Sequence, residues 1–441
     1  MVERPTQRVP RRTFLVRSLQ GAAAVGAVGT LGRPVLGGAL NDEISVAVIG
    51  TGGMGRAHAD RFLPTVPKTR LATVCDVDDV QADKAAGDAE KKTGHRPQTE
   101  NDFRRVLDDK SIQAVVVATT HHWHAPIAIR AMQAGKDVYV EKPGSHCFRE
   151  GRLLVEAARK YKRIVQHGTQ MRSSDVTKRA AEILASGILG EIRMTKAWNV
   201  QGHSEIPPVA DEPIPSGVNY DMWLGPAAKR PFNRNRFHGK WNWYREYGNG
   251  DIGGDGIHDL DMARFGLGVT THPVRITAHG SRVALGGERQ FPDNMSVAYQ
   301  YADGRVLLYE DRGFAPYGLH GFDSGNAFYG TEGYMIFTRR GRFWVYMGRK
   351  EEKGEHMASD NRGHPDHVHD FIASVRSRKE PIANAEVGHL SCGLVHLGET
   401  AYRVGRVLHF DPDREVVKDD PDANALLTKE YRAPWDIPDP V

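Results

Sequence analysis

The chain has 441 residues, 40% apolar and 26% charged, which suits about two globular domains with full cores. Its formal charge of +4 is concentrated at one end: residues 1–40 hold six Arg and one Glu, or +5, leaving −1 for the rest, so no electrostatic case for nucleic-acid binding remains. Three scattered cysteines, Cys75, Cys147 and Cys392, with no C-x-x-C pair, exclude a disulfide framework and a cysteine-based metal centre.

At the N-terminus, Arg11-Arg12-Thr13-Phe14-Leu15 is a twin-arginine pattern. Residues 18–32, between Arg17 and Arg33, carry no charge and are rich in Ala, Gly and Val. That run is too short and too weakly apolar for a membrane span of about 20 residues. It fits the h-region of an export signal. Residues 1–40 are therefore expected to be a twin-arginine signal sending the protein to the periplasm. No clear A-x-A site follows, so cleavage and retention as an anchor both stay open, and no other membrane partner is expected.

Residues 44 to about 167 alternate strand and helix patterns. The first strand runs into VAVIGTGGMG (Val46 to Gly55), a Gly50-x-Gly52-x-x-Gly55 motif. Gly50 would allow the sharp turn, Gly52 the approach of a pyrophosphate and Gly55 close packing of helix on strand, with Gly53 and Met54 in the same loop. The helix start offers free N–H groups and a positive dipole end to phosphate. LATVCDVD reads as a second strand ending in Asp76, 21 residues after Gly55, where a carboxylate would hydrogen-bond an adenosine ribose. Helix from Val80 to Lys92, a short helix over Asp102 to Asp108, the apolar strand AVVVATT, a helix to about Ala134, DVYVEKP, a helix from Phe148 to Tyr161 and RIVQHG complete a doubly wound parallel α/β unit over residues 41–167.

From Gly168 the pattern changes. EIRMTKAWNVQG, VRITAHGSRVA, NMSVAYQYADG, RVLLYEDRG and GYMIFTRR read as longer alternating strands. Pro207 to Pro231 reads as a long loop, and about Pro365 to Val407 returns to helix. Residues 168–441 are expected to form an α+β domain on a large, mostly antiparallel sheet, with its last helices packing back on the first domain.

Ligands of open α/β sheets bind at the carboxyl ends of the strands. Two polar clusters fall there: Thr119-Thr120-His121-His122-Trp123-His124, and Glu141-Lys142-Pro143. Thr119, His121, Trp123, His124, Glu141 and Lys142 are the expected cofactor contacts. A lysine in that position can hydrogen-bond a substrate hydroxyl and stabilise a developing alkoxide, or simply pair with Glu141.

With the G-x-G-x-x-G motif, the run HHWHAPIAIRAMQAGKDVYVEKP and the strand-rich second half, the chain resembles the Gfo/Idh/MocA oxidoreductases from about Ser45 onward. The resemblance implies nicotinamide-dependent oxidation or reduction of sugars, cyclitols and their derivatives. It makes Lys142 the catalytic lysine and places His124, Glu141, Gln170 and Trp223 near the cofactor. The family's D-x-x-x-H element falls on GDIGGDGIHDLDMARFGLG, with His258 as the histidine but Gly254 in place of its carboxylate. Asp255 either replaces that carboxylate or caps a helix from Gly256 to Phe265, which Gly266 and Gly268 would stop.

The cluster His364-Pro365-Asp366-His367-Val368-His369-Asp370 tempts a metal reading, but Pro365 and Asp366 also suit the first turn of a helix; no metal site is expected. Trp241-Asn242-Trp243-Tyr244 is either core or a sugar-stacking surface. The expectation is an exported oxidoreductase in which Lys142 and His258, with Asp255, work over bound NAD on a carbohydrate hydroxyl. Asp76 favours NAD over NADP by repelling a 2′-phosphate. Because the periplasm holds little free cofactor, NAD is expected to be retained. The alternative is an NAD-dependent glycosidase working by oxidation, elimination, hydration and reduction. The exposed sheet and the resemblance imply a homodimer or homotetramer.

Overall fold

The computed structural model describes residues 43–315 and 317–441; the expected signal segment lies outside the described residues. The first sheet has six parallel strands in the order β3-β2-β1-β4-β5-β6: β1 (Ile44–Ile49), β2 (Thr69–Cys75), β3 (Gln98–Glu100), β4 (Ala114–Val117), β5 (Asp137–Val140) and β6 (Val165–His167). The helices between them are α1 (Gly53–Ala57), α2 (Asp79–Thr93), α3 (Phe103–Asp108), α4 (His121–Gln133) and α5 (Phe148–Tyr161). Both faces are covered, which is why the strands are almost wholly apolar. Val46 and Val48 of β1 face one core cluster with Ala85, Ala86 and Leu71. Ala47 and Ile49 face another with Ile127, Leu153 and Val155. The strand order reverses between β1 and β4, so their carboxyl ends flank the crevice where such sheets take ligands.

The second sheet has ten strands in the order β14-β13-β12-β11-β7-β10-β9-β8-β15-β16. They are β7 (Met194–Val200), β8 (Arg275–Ser281), β9 (Asn294–Gln300), β10 (Val306–Arg312), β11 (Ser324–Tyr329), β12 (Gly333–Thr338), β13 (Arg342–Met347), β14 (Glu352–Ala358), β15 (Leu408–Asp411) and β16 (Val416–Val417). Only β7 and β10 pair in parallel; the other pairings are antiparallel. Helices α6 (Asp175–Ser186), α7 (Tyr220–Leu224), α8 (Gly250–Gly254), α9 (Gly256–Leu267), α10 (His364–Ser377), α11 (Ala385–Val404) and α12 (Pro421–Leu426) complete the chain.

Helix α9 lies on the inner face, where Ile257, Leu260 and Ala263 meet Ala197, Leu307 and Tyr309. Helix α10 joins the other half of the molecule: Val368, Phe371, Ile372 and Val375 share the cluster of Val46 and Val48. Trp435 and Ile437, near the end of the chain, pack with Phe103 and Trp123. Six strands, β3, β11, β13, β14, β15 and β16, lacked a sequence signal; β14 is a polar edge strand, EKGEHMA, with six of its seven residues exposed.

Candidate active site

The glycine-rich turn is explained by steric contact. Gly50 has φ +86°, and a Cβ on it would sit 2.6 Å from the Ala118 carbonyl oxygen; a Cβ on Gly55 would fall 1.8 Å from Gly50 O. Neither position admits a side chain without moving backbone. Gly52 and Gly53 meet nothing within 4 Å, because they face a cavity. Gly52 caps α1 with no side-chain bond, which leaves the helix start open to an anion. Asp76, at the end of β2, receives Thr51 N (2.7 Å) and Thr51 Oγ1 (3.0 Å) on Oδ2 and Asp78 N (3.1 Å) on Oδ1. Burial pushes its carboxyl up from the ordinary value against those bonds. It stands beside the cavity as well as bracing the turn.

That cavity, about 260 Å³, is lined by Gly50, Gly52, Gly53, Met54, Asp76, Thr119, His121, Trp123, His124, Glu141, Lys142 and Trp223, all singled out from sequence. Asn101, Phe103, Met222 and His238 also line it and were missed; Trp241, read as either core or a sugar-stacking surface, lines it too. Met222 comes from the segment read as a long loop, Pro207 to Pro231, and His238 and Trp241 follow it; the stretch is anchored just beyond the end of β2. Asn219 N bonds Val77 O at 2.7 Å, Asp79 N bonds Gly217 O at 3.0 Å, and His238 Nε2 lies 2.7 Å from Asp78 Oδ2. Trp241 is thus a cavity wall, set edge-on to His121 at 4.7 Å, while Trp243 and Tyr244 are buried. Gly55 lies beneath the turn, and Gln170, on a short 3-10 turn after β6, is not on the cavity wall. Thus twelve of the sequence-selected residues line one cleft, whose open glycine backbone and carboxylate fit a dinucleotide.

Glu141 is buried at the end of β5. His58 Nε2, from the turn following α1, lies 2.9 Å from its Oε1, and Lys142 N donates to Oε2 at 3.3 Å. Burial pushes Glu141 up, but His58, Lys142 and His124 outweigh it and bring it down to about 2. His58 thereby ties the glycine-rich turn to the EKP segment, a link with no sequence signal. The His124 ring spans Pro143 O (2.7 Å) and Thr119 O (3.0 Å).

Lys142 reaches the second half of the molecule. Its Nζ donates to Gly254 O and lies 3.6 Å from Asp255 Oδ1. Asp255 caps nothing: it makes no side-chain capping bond to α9, which corrects that reading. Its carboxylate accepts from Gln201 Nε2 and lies 3.5 Å from Arg339 Nη1. Burial raises Asp255, but Lys142, Arg339, His258 and Gln201 prevail and hold it well below the carboxylate range. His258, one turn on and 5% exposed, has its pKa driven well below 6.5 by burial first and by Lys142 and Arg339 next, against the pull of Asp255. Its Nδ1 is sealed without a partner. The result is a neutral imidazole beside a lysine and an ionised carboxylate.

His367 belongs to helix packing. Its Nδ1 lies 2.7 Å from Ser173 Oγ and its Nε2 2.9 Å from His167 O, with Pro365 in the first turn of α10. His272, His389 and Glu415 do bring one ligand atom each within 4.8 Å of the others. However, both imidazole Nδ1 atoms are buried without partners, whereas metal-bound histidines usually donate that N–H. Arg152 Nη2 also lies 2.7 Å from Glu415 Oε1. This group is a carboxylate held by cationic and imidazole donors.

Residues 44–169 match the model described as "Oxidoreductase family, NAD-binding Rossmann fold", and residues 193–437 the model "Oxidoreductase family, C-terminal alpha/beta domain". A levoglucosan dehydrogenase of Pseudarthrobacter phenanthrenivorans is 25% identical over 354 residues, 71% of this chain and 82% of that protein. An inositol 2-dehydrogenase of Rubrobacter xylanophilus is 31% identical over 160 residues, 36% of this chain and 44% of that protein. The solved structure of a levoglucosan dehydrogenase in complex with NADH superposes with a TM-score of 0.65 at 20% identity, over 83% of this chain and 98% of that one, and so shares the fold. With both halves matched and the glycine turn, the cleft and Lys142 in place, the chain belongs to the Gfo/Idh/MocA family of oxidoreductases, with an NAD-binding Rossmann domain.

Proposed function

We propose that this protein is an exported oxidoreductase that moves a hydride between NAD and a hydroxyl-bearing carbon of a sugar, glycoside or cyclitol. The observation that carries the reading is Lys142 Nζ, at the wall of the dinucleotide cleft and 3.6 Å from Asp255 Oδ1, with the neutral His258 one turn further on. The named activities of the curated relatives, on levoglucosan and inositol, supply the substrate class.

Bound NAD supplies the hydride acceptor. Lys142 then orients the substrate hydroxyl and stabilises the alkoxide as charge develops on it. His258 takes the hydroxyl proton at Nε2, which has no hydrogen-bond partner among the described residues. Asp255 keeps Lys142 in place and balances its charge. Trp223 and Trp241 wall the cleft and exclude water. Asp76 favours NAD over NADP, since a 2′-phosphate would meet a carboxylate.

The twin-arginine pattern at Arg11-Arg12 supports export to the periplasm through a route that carries folded proteins. NAD loaded before export would be retained and recycled, and the molecule would work as a homodimer or homotetramer. The test is mass spectrometry of the denatured, purified protein, then incubation with levoglucosan, inositol and nitrophenyl glycosides without added cofactor. Co-purified NAD that becomes NADH with the first two supports the reading. Nitrophenol release without net NADH would replace it by the NAD-dependent glycosidase.

A further inference from the structure

Two contacts carry the chain over the open end of the parallel sheet. His238 Nε2 lies 2.7 Å from Asp78 Oδ2, just beyond β2, and the Trp241 ring meets the His121 ring at 4.7 Å, just beyond β4. The sheet order β2-β1-β4 puts β1 between those two points, and the carboxyl end of β1 runs into the turn Gly50 to Gly55. β2 and β4 are two strand spacings apart, roughly 10 Å, a distance that the three steps of chain from His238 to Trp241 can span. Residues 238–241 therefore form a bridge across the glycine turn, where the pyrophosphate of a dinucleotide belongs. Both ends of the bridge line the cleft, as do Asp76 and His121 opposite them.

The bridge is fixed at its roots and loose at its crown. On one side Phe237 is buried among Tyr220, Trp223 and Phe232. On the other, Trp243 N bonds Lys240 O at 3.0 Å and closes the 3-10 turn Trp241–Trp243. His238, Gly239 and Lys240 between them are exposed. A Cβ on Gly239 would meet nothing within 4 Å, and His238 holds φ +56°, a left-handed conformation that is costly for a residue other than glycine. Among the described residues the crown makes one side-chain hydrogen bond across the cleft, His238 to Asp78. A carboxylate only accepts, so the His238 Nε2–H donates. Asp78 is itself fixed, because its Oδ1 caps α2 by accepting from Val80 N at 3.0 Å.

We propose that residues 238–240 are the gate of the cofactor site and that the His238–Asp78 hydrogen bond is its latch. NAD enters and leaves only when that bond breaks and the turn swings off the glycine loop, hinged at Phe237 and Trp241. This deepens the retention of NAD proposed above and rests on that reading for its purpose. The latch joins protein to protein and is remade once the dinucleotide has passed. It therefore stands on both sides of the binding equilibrium, and a bond of equal worth in the free and bound forms shifts no equilibrium. Its effect falls on the barrier, so it slows entry and release by the same factor. A residue that held the cofactor directly would slow release alone.

The experiment uses the full protein with NADH as the probe. Entry is followed by stopped-flow fluorescence of added NADH, and release by chasing NADH-loaded protein with excess NAD. In His238→Ala both rate constants should rise about tenfold, the scale of one hydrogen bond to a charged group, with Kd unchanged. Asp78→Ser should do the same, since serine still caps α2 but is too short to reach His238. Calorimetry shows that each variant is folded, and either one alone decides. Rates equal to wild type in a folded variant overturn the gate and leave retention untouched. Faster release at an unchanged entry rate, with a weaker Kd, also overturns it and makes His238 a direct cofactor contact. Release of NADH by wild type within one turnover counts against retention, while the ratio of variant to wild-type rates still decides the gate.

Discussion

Lys142 Nζ and Asp255 Oδ1 stand 3.6 Å apart, one at the end of the parallel sheet and the other at the start of α9 on the ten-stranded sheet. The ion pair spans the two halves of the molecule, so Lys142 is positioned by a residue over a hundred places away in sequence. Asp255 is itself set by Gln201 and Arg339.

Arg339 is the residue to test for that positioning. Arg339→Met removes a cation 3.5 Å from Asp255 Oδ1 and leaves the dinucleotide cleft untouched. The expected outcome is a fall in kcat of about 10- to 100-fold with an unchanged NADH Kd, since small misplacements at a reacting centre carry losses on that scale. Steady-state kinetics beside fluorescence titration checks it.

The two open glycines and the two closed ones should separate in mutagenesis. Gly55→Ala puts a methyl group 1.8 Å from Gly50 O and should lower Tm by several degrees and abolish NAD binding together. Gly52→Ala has space for its Cβ and should keep the wild-type Tm while weakening NAD binding, because the methyl group enters the cleft. Calorimetry with and without NAD tells them apart.

Glu141 links pH to stability. Its carboxyl falls from 4.5 to about 2 in the folded protein, so its contribution is present above pH 4.5 and is lost as pH falls toward 2. That shift corresponds to about 3 kcal/mol. Between pH 4.5 and 2, wild type should lose stability more steeply than Glu141→Gln, which has no carboxylate to protonate; urea unfolding across that range measures the difference.

His258 gives the opposite signature in catalysis. Its pKa is depressed, so the imidazole stays neutral and able to accept a proton as pH falls through 6.5. The kcat/KM profile should show no acid limb at the ordinary histidine value. A limb centred near 6.5 would mean that the base is another group.

Much of this was readable before folding, because it depended on neighbours in sequence. The strand, turn and helix start of VAVIGTGGMG, and Asp76 at the end of the next strand, are local, and the pattern of buried β-strands with Gly at forced positions carries them. The reach of Lys142 is not local. Arg339 is 84 residues from Asp255 and Gln201 is 54, and nothing in an arginine at a β-turn marks it as facing a carboxylate. His58 escaped notice because its partner, Glu141, is 83 residues on. Asp255 was readable as a helix-start acid, but only its side-chain partners decide between capping and active-site contact. Strand β14 was invisible because both of its faces are polar, so alternation never appears.

The central claim is that Lys142, held by Asp255, acts on the substrate at bound NAD. A single-turnover measurement tests it most directly: NAD-loaded wild type and Lys142→Met are mixed with levoglucosan or inositol, and NADH fluorescence is followed with time. The account predicts NADH formation in wild type and a loss of at least about a hundredfold in the variant, with NAD still bound. Equal rates in the two proteins would contradict it.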